Sequence, residues 1–191
     1  MNQTPIILAS RSPRRIELLK LITNEFEVVP SCFDESKVQH TNPTKLVEEL
    51  SFQKANVVKE QYKNHTIIGC DTVVSLDDEI FGIPSDYEMA KQMIQKLSGK
   101  THTVITGVSV LDMHTVTTFH CKTDITFYDL TEQEIEDYIQ SNEPYDKAGG
   151  YGIQAKGGLF VKKIEGDYYN VVGLPIAPLN QVIKQLKFKS E

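Results

Sequence analysis

Cysteine is scarce in this chain, and what there is does not suggest pairing. The 191 residues hold three, Cys32, Cys70 and Cys121, an odd number, widely separated and without a C-x-x-C. That argues against a disulfide framework or a zinc site and fits a reducing cytoplasm. Long apolar runs are missing too. None approaches the length needed to span a bilayer, and the N-terminus lacks a signal-peptide pattern, so no membrane association is expected. A basic excess is also missing: 20 Lys and Arg against 26 Asp and Glu leave a net charge of −6. Such a balance argues against a general nucleic-acid binder. It still permits a nucleotide substrate, because a cleft can be locally positive and a divalent metal adds charge. There is no internal repeat, low-complexity tract or long linker, no Ser-His-Asp or Cys-His pattern, and no G-x-x-x-x-G-K-[ST] loop, so P-loop chemistry is not indicated.

What is present reads as one well-filled globular core, in a single domain or two close lobes. Ile6 to Ala9 is a short apolar strand that ends in Ser10-Arg11-Ser12, and Ser12 with Pro13 caps and opens a helix through Ile16, Leu19 and Ile22. A strand is expected from Phe26 to Pro30 and a helix from Pro43, capped by Asn42, to about Tyr62. Ile67 to Val74 and Ile80 to Ile83 read as strands around a turn at Asp77-Asp78-Glu79. Ser85-x-x-Glu88 reads as a capping box for a helix stopped by Gly99. Strands follow at Thr103–Leu111 and Val116–Tyr128, then a helix capped by Thr131-x-x-Glu134. A hairpin is expected between Leu159–Ile164 and Tyr168–Val172, and a last helix from about Pro178 to Leu186. Helices interleaved with strands and hairpins predict a mixed α/β sheet.

Several residues stand out against this pattern. The helix opened by Pro13 carries Arg14 and Arg15 in its first turn, with Arg11 close by, although a helix N-terminus is already electropositive. Positive charge concentrated there suggests a bound anion, phosphate first among them. Asp71 interrupts an otherwise apolar strand, where an unpaired carboxylate is costly. It is either a metal ligand or general base, or a carboxylate satisfied by backbone amides or Thr72. Lys54 sits within the apolar stripe of Val47, Leu50, Val57 and Val58, either snorkelling or aimed at phosphate. Glu35, on a loop, is either solvated or a Mg²⁺ ligand beside phosphate oxygens. The glycines between Asp146 and Gly158 permit close backbone approach, with Lys147 among them. Tyr151 there suits packing against a base, and Gln154 suits pairing with one. His102 reads as a structural histidine.

Taken together, Leu8-Ala9-Ser10-Arg11-Ser12-Pro13-Arg14-Arg15, Gly69-Cys70-Asp71-Thr72-Val73-Val74, Leu97-Ser98-Gly99-x-x-His102-x-Val104, Asp146-Lys147-Ala148-Gly149-Gly150-Tyr151-Gly152-Ile153-Gln154 and Val172-Gly173-Leu174-Pro175 resemble Maf-type nucleoside triphosphate pyrophosphatases, in the family's order and over almost the whole chain. The resemblance implies a single domain over residues 1–191, with an elongated mixed sheet flanked by helices and two lobes around a central cleft, as in the inosine-triphosphatase type. It implies hydrolysis of a nucleoside triphosphate between the α and β phosphates. Tyr151 to Gln154 place the chain with the branch acting on dTTP, UTP and some modified pyrimidine nucleotides. By motif, Asp71 matches the catalytic proton acceptor. Arg14, Thr72 and Gln154 match positions of substrate choice, and Ser10, Arg15, Glu35, Lys54 and Lys147 match other cleft positions.

The combined expectation is Mg²⁺ or Mn²⁺ held by Glu35, Asp71 and phosphate oxygens, with Asp71 activating a water. Arg14, Arg15, Lys54 and the helix N-terminus then stabilise the departing pyrophosphate. A homodimer is implied by the resemblance alone. One departure is Ile83, where the family often has Lys before the proline of its Gly-x-Pro segment; Lys54, Lys147 and Lys156 are the candidates to compensate. Ala155, where a glycine usually follows the glutamine, is a smaller one. Two rivals stand beside this reading: a purine-directed house-cleaning triphosphatase, and a nucleotide-binding regulator of division-septum formation with weak or no catalysis.

Overall fold

Side-chain caps decide where most of the helices begin. Ser12 Oγ accepts the Arg15 amide to open α1 (Pro13–Lys20), and Asn42 Oδ1 accepts the Lys45 amide to open α2 (Pro43–Gln61); proline follows each cap directly. Strand β1 (Ile6–Leu8) precedes α1, and β2 (Phe26–Val28) precedes α2. After α2 come β3 (Thr66–Leu76), β4 (Glu79–Phe81), α3 (Tyr87–Leu97), β5 (Thr101–Leu111) and β6 (Val116–Phe127). Then follow α4 (Glu132–Ile139), β7 (Val161–Glu165), α5 (Tyr168–Val172) and α6 (Ile176–Lys189). This computed structural model describes residues 4–189.

The strands form one seven-stranded sheet in the order β2-β1-β3-β5-β6-β7, with β4 paired to β3. Pairing of β1 with β2 and β3 is parallel, whereas β4 on β3 and β7 on β6 are antiparallel. The sheet is therefore mixed and flanked by helices, as expected. Asp77 and Asp78, at φ of 49° and 67°, supply the two left-handed positions that a two-residue β3–β4 hairpin demands.

Two compact units are built on this sheet. One comprises residues 1–71, 106–121 and 173–191; the other comprises residues 72–105 and 122–172. In the first, α2 lies directly on strand backbone. A Cβ on Gly69 would sit 2.1 Å from the Ser51 carbonyl oxygen, and one on Gly107 would sit 2.3 Å from that of Val47. Glycine at these two positions lets helix and strand close to contact. Ile7, Ala55, Val58 and Ile67 fill the space around them. In the second unit, α3 and α4 cover a core of Ile94, Leu97, Ile125, Phe127, Tyr138 and Phe160.

Three expectations need correction. Tyr168–Val172 is helix, not the second arm of a hairpin; β7 pairs instead with β6, Ile164 opposite Ile125. Strand-forming Tyr and Val lose here because Asp167 Oδ1 captures the Tyr169 amide and buried Asn170 donates to Val104 O and Thr123 Oγ1. The cap of α3 is Asp86, which accepts the Met89 amide at 2.8 Å, while the Ser85 hydroxyl donates to Asp86. Helix α6 begins at Ile176, two residues before Pro178, because a first-turn proline forfeits no helical hydrogen bond.

Candidate active site

In the first unit, three elements far apart in sequence deliver one charged cluster. Asp71 sits on β3, two residues past the Gly69 contact with α2. Lys54 projects from α2 and donates to Asp71 Oδ1 at 2.6 Å. Glu35 stands on a 3₁₀ turn whose cap, Asp34, accepts the Ser36 amide, and its Oε1 lies 2.8 Å from the same Lys54 nitrogen. Lys54 therefore bridges two carboxylates. The side chains of Lys54 and Asp71 are 14% and 10% exposed, that of Glu35 is 58% exposed, so the cluster opens to solvent on the Glu35 side.

Burial pushes the Asp71 carboxyl above the ordinary carboxylate range. The charge and hydrogen bond of Lys54, and the charge of Arg15, pull it back, while Glu35 pushes it further up. A base with a raised proton affinity, beside a cation that favours its ionised form, is chemically suited to take a proton from water.

Arg15 does something that sequence did not foresee. Its Nε donates to Gly173 O at 2.8 Å and its Nη1 to Cys70 O at 2.9 Å, so the guanidinium braces the main chain one residue before Asp71. The buried Cys70 thiol is raised by desolvation to about 11 and stays protonated. Ser10 is buried at the end of β1, its hydroxyl accepting the Ser12 amide at 3.2 Å. Arg14 occupies the first turn of α1, which holds no acidic residue.

The remaining expected residues belong to the second unit. Thr72 is half-buried on β3. Lys147 Nζ donates to the Glu143 carbonyl at 2.7 Å and pairs with Asp146, so it clamps its own loop. Gln154 is exposed on the loop between Gly152 and Gly157. Tyr151 corrects an expectation: it is 5% exposed, packed edge-on against Phe127 and His102, and its hydroxyl meets His102 Nε2 at 2.8 Å. It belongs to the core rather than to a base-packing wall. His102 is structural, as expected, and burial lowers its pKa to about 4. Sequence reasoning passed over Glu143, whose carboxylate accepts the Lys156 and Gly157 amides. The signal was available: an acidic residue directly before Pro144, ahead of the glycine-rich loop.

The chain is similar over most of its length to known proteins. The chain is 50% identical over 180 residues, 94% of each chain, to a Bacillus cereus protein named dTTP/UTP pyrophosphatase, and matches a Bacillus mycoides protein of that name with the same identity and coverage. Its fold resembles that of a HAM1 protein from Coxiella burnetii, with a TM-score of 0.53 at 12% identity over 96% of this chain and 100% of that one. The Ham1 protein of Staphylococcus aureus gives a TM-score of 0.53 at 16% identity over 97% of this chain and 100% of that one. A family model described as Maf-like protein matches residues 5–186, and the chain belongs to that family.

Proposed function

We propose that this chain is a nucleoside triphosphate pyrophosphatase that hydrolyses dTTP and UTP, and modified pyrimidine nucleotides of the same shape, to the monophosphate and pyrophosphate. The observation that carries the reading is the Glu35–Lys54–Asp71 cluster, a buried carboxylate kept reactive by one lysine. The names of relatives 50% identical over 94% of the chain support the substrates.

The donor set suits a divalent cation. Two carboxylates already reach one small positive centre at 2.6 and 2.8 Å, and no cluster of three or more His, Cys, Asp or Glu exists among the described residues. That falls short of a protein-only cage. It matches Mg²⁺ or Mn²⁺, which keep coordination positions for phosphate oxygens and water. Glu35 and Asp71 would hold the ion, which supplies Lewis-acid charge at the phosphates when bound.

Asp71 takes the proton of a water whose oxygen bonds to the α-phosphorus as the bond to the bridging oxygen breaks. Lys54 favours the ionised form of Asp71 beforehand. Arg14, Arg15, Ser10 and the α1 N-terminus favour the phosphate charge, which passes to the leaving pyrophosphate. Thr72, Lys147 and Gln154 are assigned to substrate binding, with Arg14, Thr72 and Gln154 governing substrate choice. On the family resemblance the chain is assigned as one domain working in the cytoplasm; its three cysteines are free, and no described helix is long and apolar enough to cross a membrane. A homodimer follows from family resemblance and is checked by sedimentation.

The test is pyrophosphate release from a panel of nucleoside triphosphates with metal varied. UTP and dTTP turn over, and Asp71→Asn lowers kcat by on the order of a hundredfold or more. An Asp71→Asn enzyme with unchanged release from UTP sinks the assignment of the base. UTP binding without pyrophosphate formation leaves a sensor, not an enzyme.

A further inference from the structure

The loop that carries Gln154 is closed on itself by backbone. A Cβ on Gly157 would sit 2.8 Å from Gly152 N and 2.9 Å from Gly152 O, and one on Gly158 would sit 2.4 Å from the Ile153 carbonyl oxygen. Ala155 N donates to Gly152 O at 3.3 Å and Gly158 N to Ala155 O at 3.0 Å. Gly152 and Gly157 thus form a neck, with Ile153, Gln154 and Ala155 as its tip.

One carboxylate fastens that neck. Glu143, half-buried at the start of a 3₁₀ turn (Pro144–Asp146), accepts the Gly157 amide on Oε1 and the Lys156 amide on Oε2, both at 3.1 Å. Oε1 also accepts the Tyr138 hydroxyl at 3.1 Å, and the Tyr138 oxygen in turn accepts the Gly152 amide at 3.3 Å. Both sides of the neck are therefore tied, one directly and one through a phenol. Tyr138 is itself fixed: it is 3% exposed, and its ring meets Phe160 edge-on at 4.9 Å. Burial, then the Glu143 charge, keep its hydroxyl protonated and donating. The Glu143 carbonyl takes the Lys147 ammonium, whose side chain lies against Gly152.

We propose that Glu143 is the positioning residue for base selection: it sets where the Gly152–Gly157 loop presents Gln154. The inference rests on the assignment of Gln154 to substrate choice. Its chemistry is specific. Uracil and thymine offer an N3–H donor beside carbonyl acceptors, whereas cytosine offers an acceptor and an amino donor at the same edge. A primary amide can complement either edge, so discrimination depends on how rigidly the backbone orients it.

The experiment measures kcat and KM for UTP and CTP in wild type, Glu143→Ala, Glu143→Gln, Tyr138→Phe and Gln154→Ala, each checked for folding by thermal melting. Glu143→Ala is expected to lower the UTP:CTP ratio of kcat/KM roughly tenfold. Glu143→Gln falls between it and wild type, because it keeps one acceptor oxygen and sets an amide group against the other main-chain donor. Tyr138→Phe, which spares the core packing, moves the ratio in the same direction. A merely structural role lowers both substrates alike and leaves the ratio where it was. An unchanged ratio in folded Glu143→Gln and Tyr138→Phe, with the ratio collapsed in Gln154→Ala, overturns the role of Glu143 while keeping that of Gln154. An unchanged ratio in Gln154→Ala overturns both.

Discussion

Gly69→Ala is the most direct test of how the catalytic cluster is assembled. The added Cβ would lie 2.1 Å from the Ser51 carbonyl oxygen and 2.9 Å from both Ala55 N and Ala55 Cβ. All three contacts are with the body of α2, none with the tip of a flexible side chain. Ordinary contact begins at 3.4 Å, so α2 must withdraw from β3 by roughly 1.3 Å, the difference from 2.1 Å. Lys54 lies on that helix between Ser51 and Ala55, and Asp71 lies two residues from Gly69 on the strand. The 2.6 Å Lys54–Asp71 contact cannot survive such a retreat without rearrangement. Overpacking of this kind costs about 1–3 kcal/mol of stability, and a misplacement near 1 Å at a reacting group costs on the order of a hundredfold in rate. Urea unfolding and kcat/KM for UTP read the two effects separately. Gly82→Ala is the control, since nothing lies within 4 Å of a Cβ there. A Gly69→Ala enzyme with wild-type unfolding midpoint and wild-type kcat/KM would refute the claim that this helix-on-strand contact sets the cluster.

Two further predictions concern Lys54 and His102. Lys54→Met lowers kcat/KM by roughly a hundredfold in the wild type but far less in an Asp71→Asn background, because Lys54 acts on the rate through Asp71; full additivity in the double variant contradicts this. The second concerns pH. His102, with a folded pKa near 4 against 6.5 when unfolded, binds its proton more readily in the unfolded chain. Its contribution is thus present above about pH 6.5 and lost as pH falls toward 4, by roughly 3 kcal/mol in all. His102→Gln should remove that part of the acid loss in urea midpoints measured from neutral pH down to about 4.5; an undiminished loss would locate it elsewhere.

The parts of the fold that were legible in sequence were those fixed by local chemistry. Ser12, Asn42 and Thr131 each announce a helix because the side chain that satisfies the first free amides is within three residues of them. Tyr168–Val172 was misread because what decides it is remote: Asn170 finds its partners in Val104 and Thr123. Tyr151 was misread for the same reason, its hydroxyl being taken by His102 across 49 residues. At the site, Asp71 and Lys54 each looked anomalous alone, whereas Glu35 read as an ordinary loop carboxylate. Their convergence was legible only through the family resemblance, since in the fold it depends on the glycines that let α2 settle on β3.

Of the two arginines in the α1 first turn, Arg15 has a main-chain role that its sequence position did not announce. Arg15 spends two of its donors on the Gly173 and Cys70 carbonyls, a fork that a lysine, a single point of charge, could not span. Its positive charge still reaches Asp71 and eases its ionisation. Phosphate affinity is then not simply a matter of counting basic residues. Two carboxylates against one lysine leave the cluster one charge negative when all are ionised, in a chain whose net charge is already −6. Against these three side chains alone, a triphosphate would meet repulsion. On the proposed reading, a divalent cation between Glu35 and Asp71 turns that balance to one charge positive, and the raised proton affinity of Asp71 is drawn back toward ionisation by the same charge. On that reading an acidic cluster at a phosphate site would have a physical rationale: it would hold the cation that binds the substrate, with Lys54 keeping the two carboxylates together beforehand.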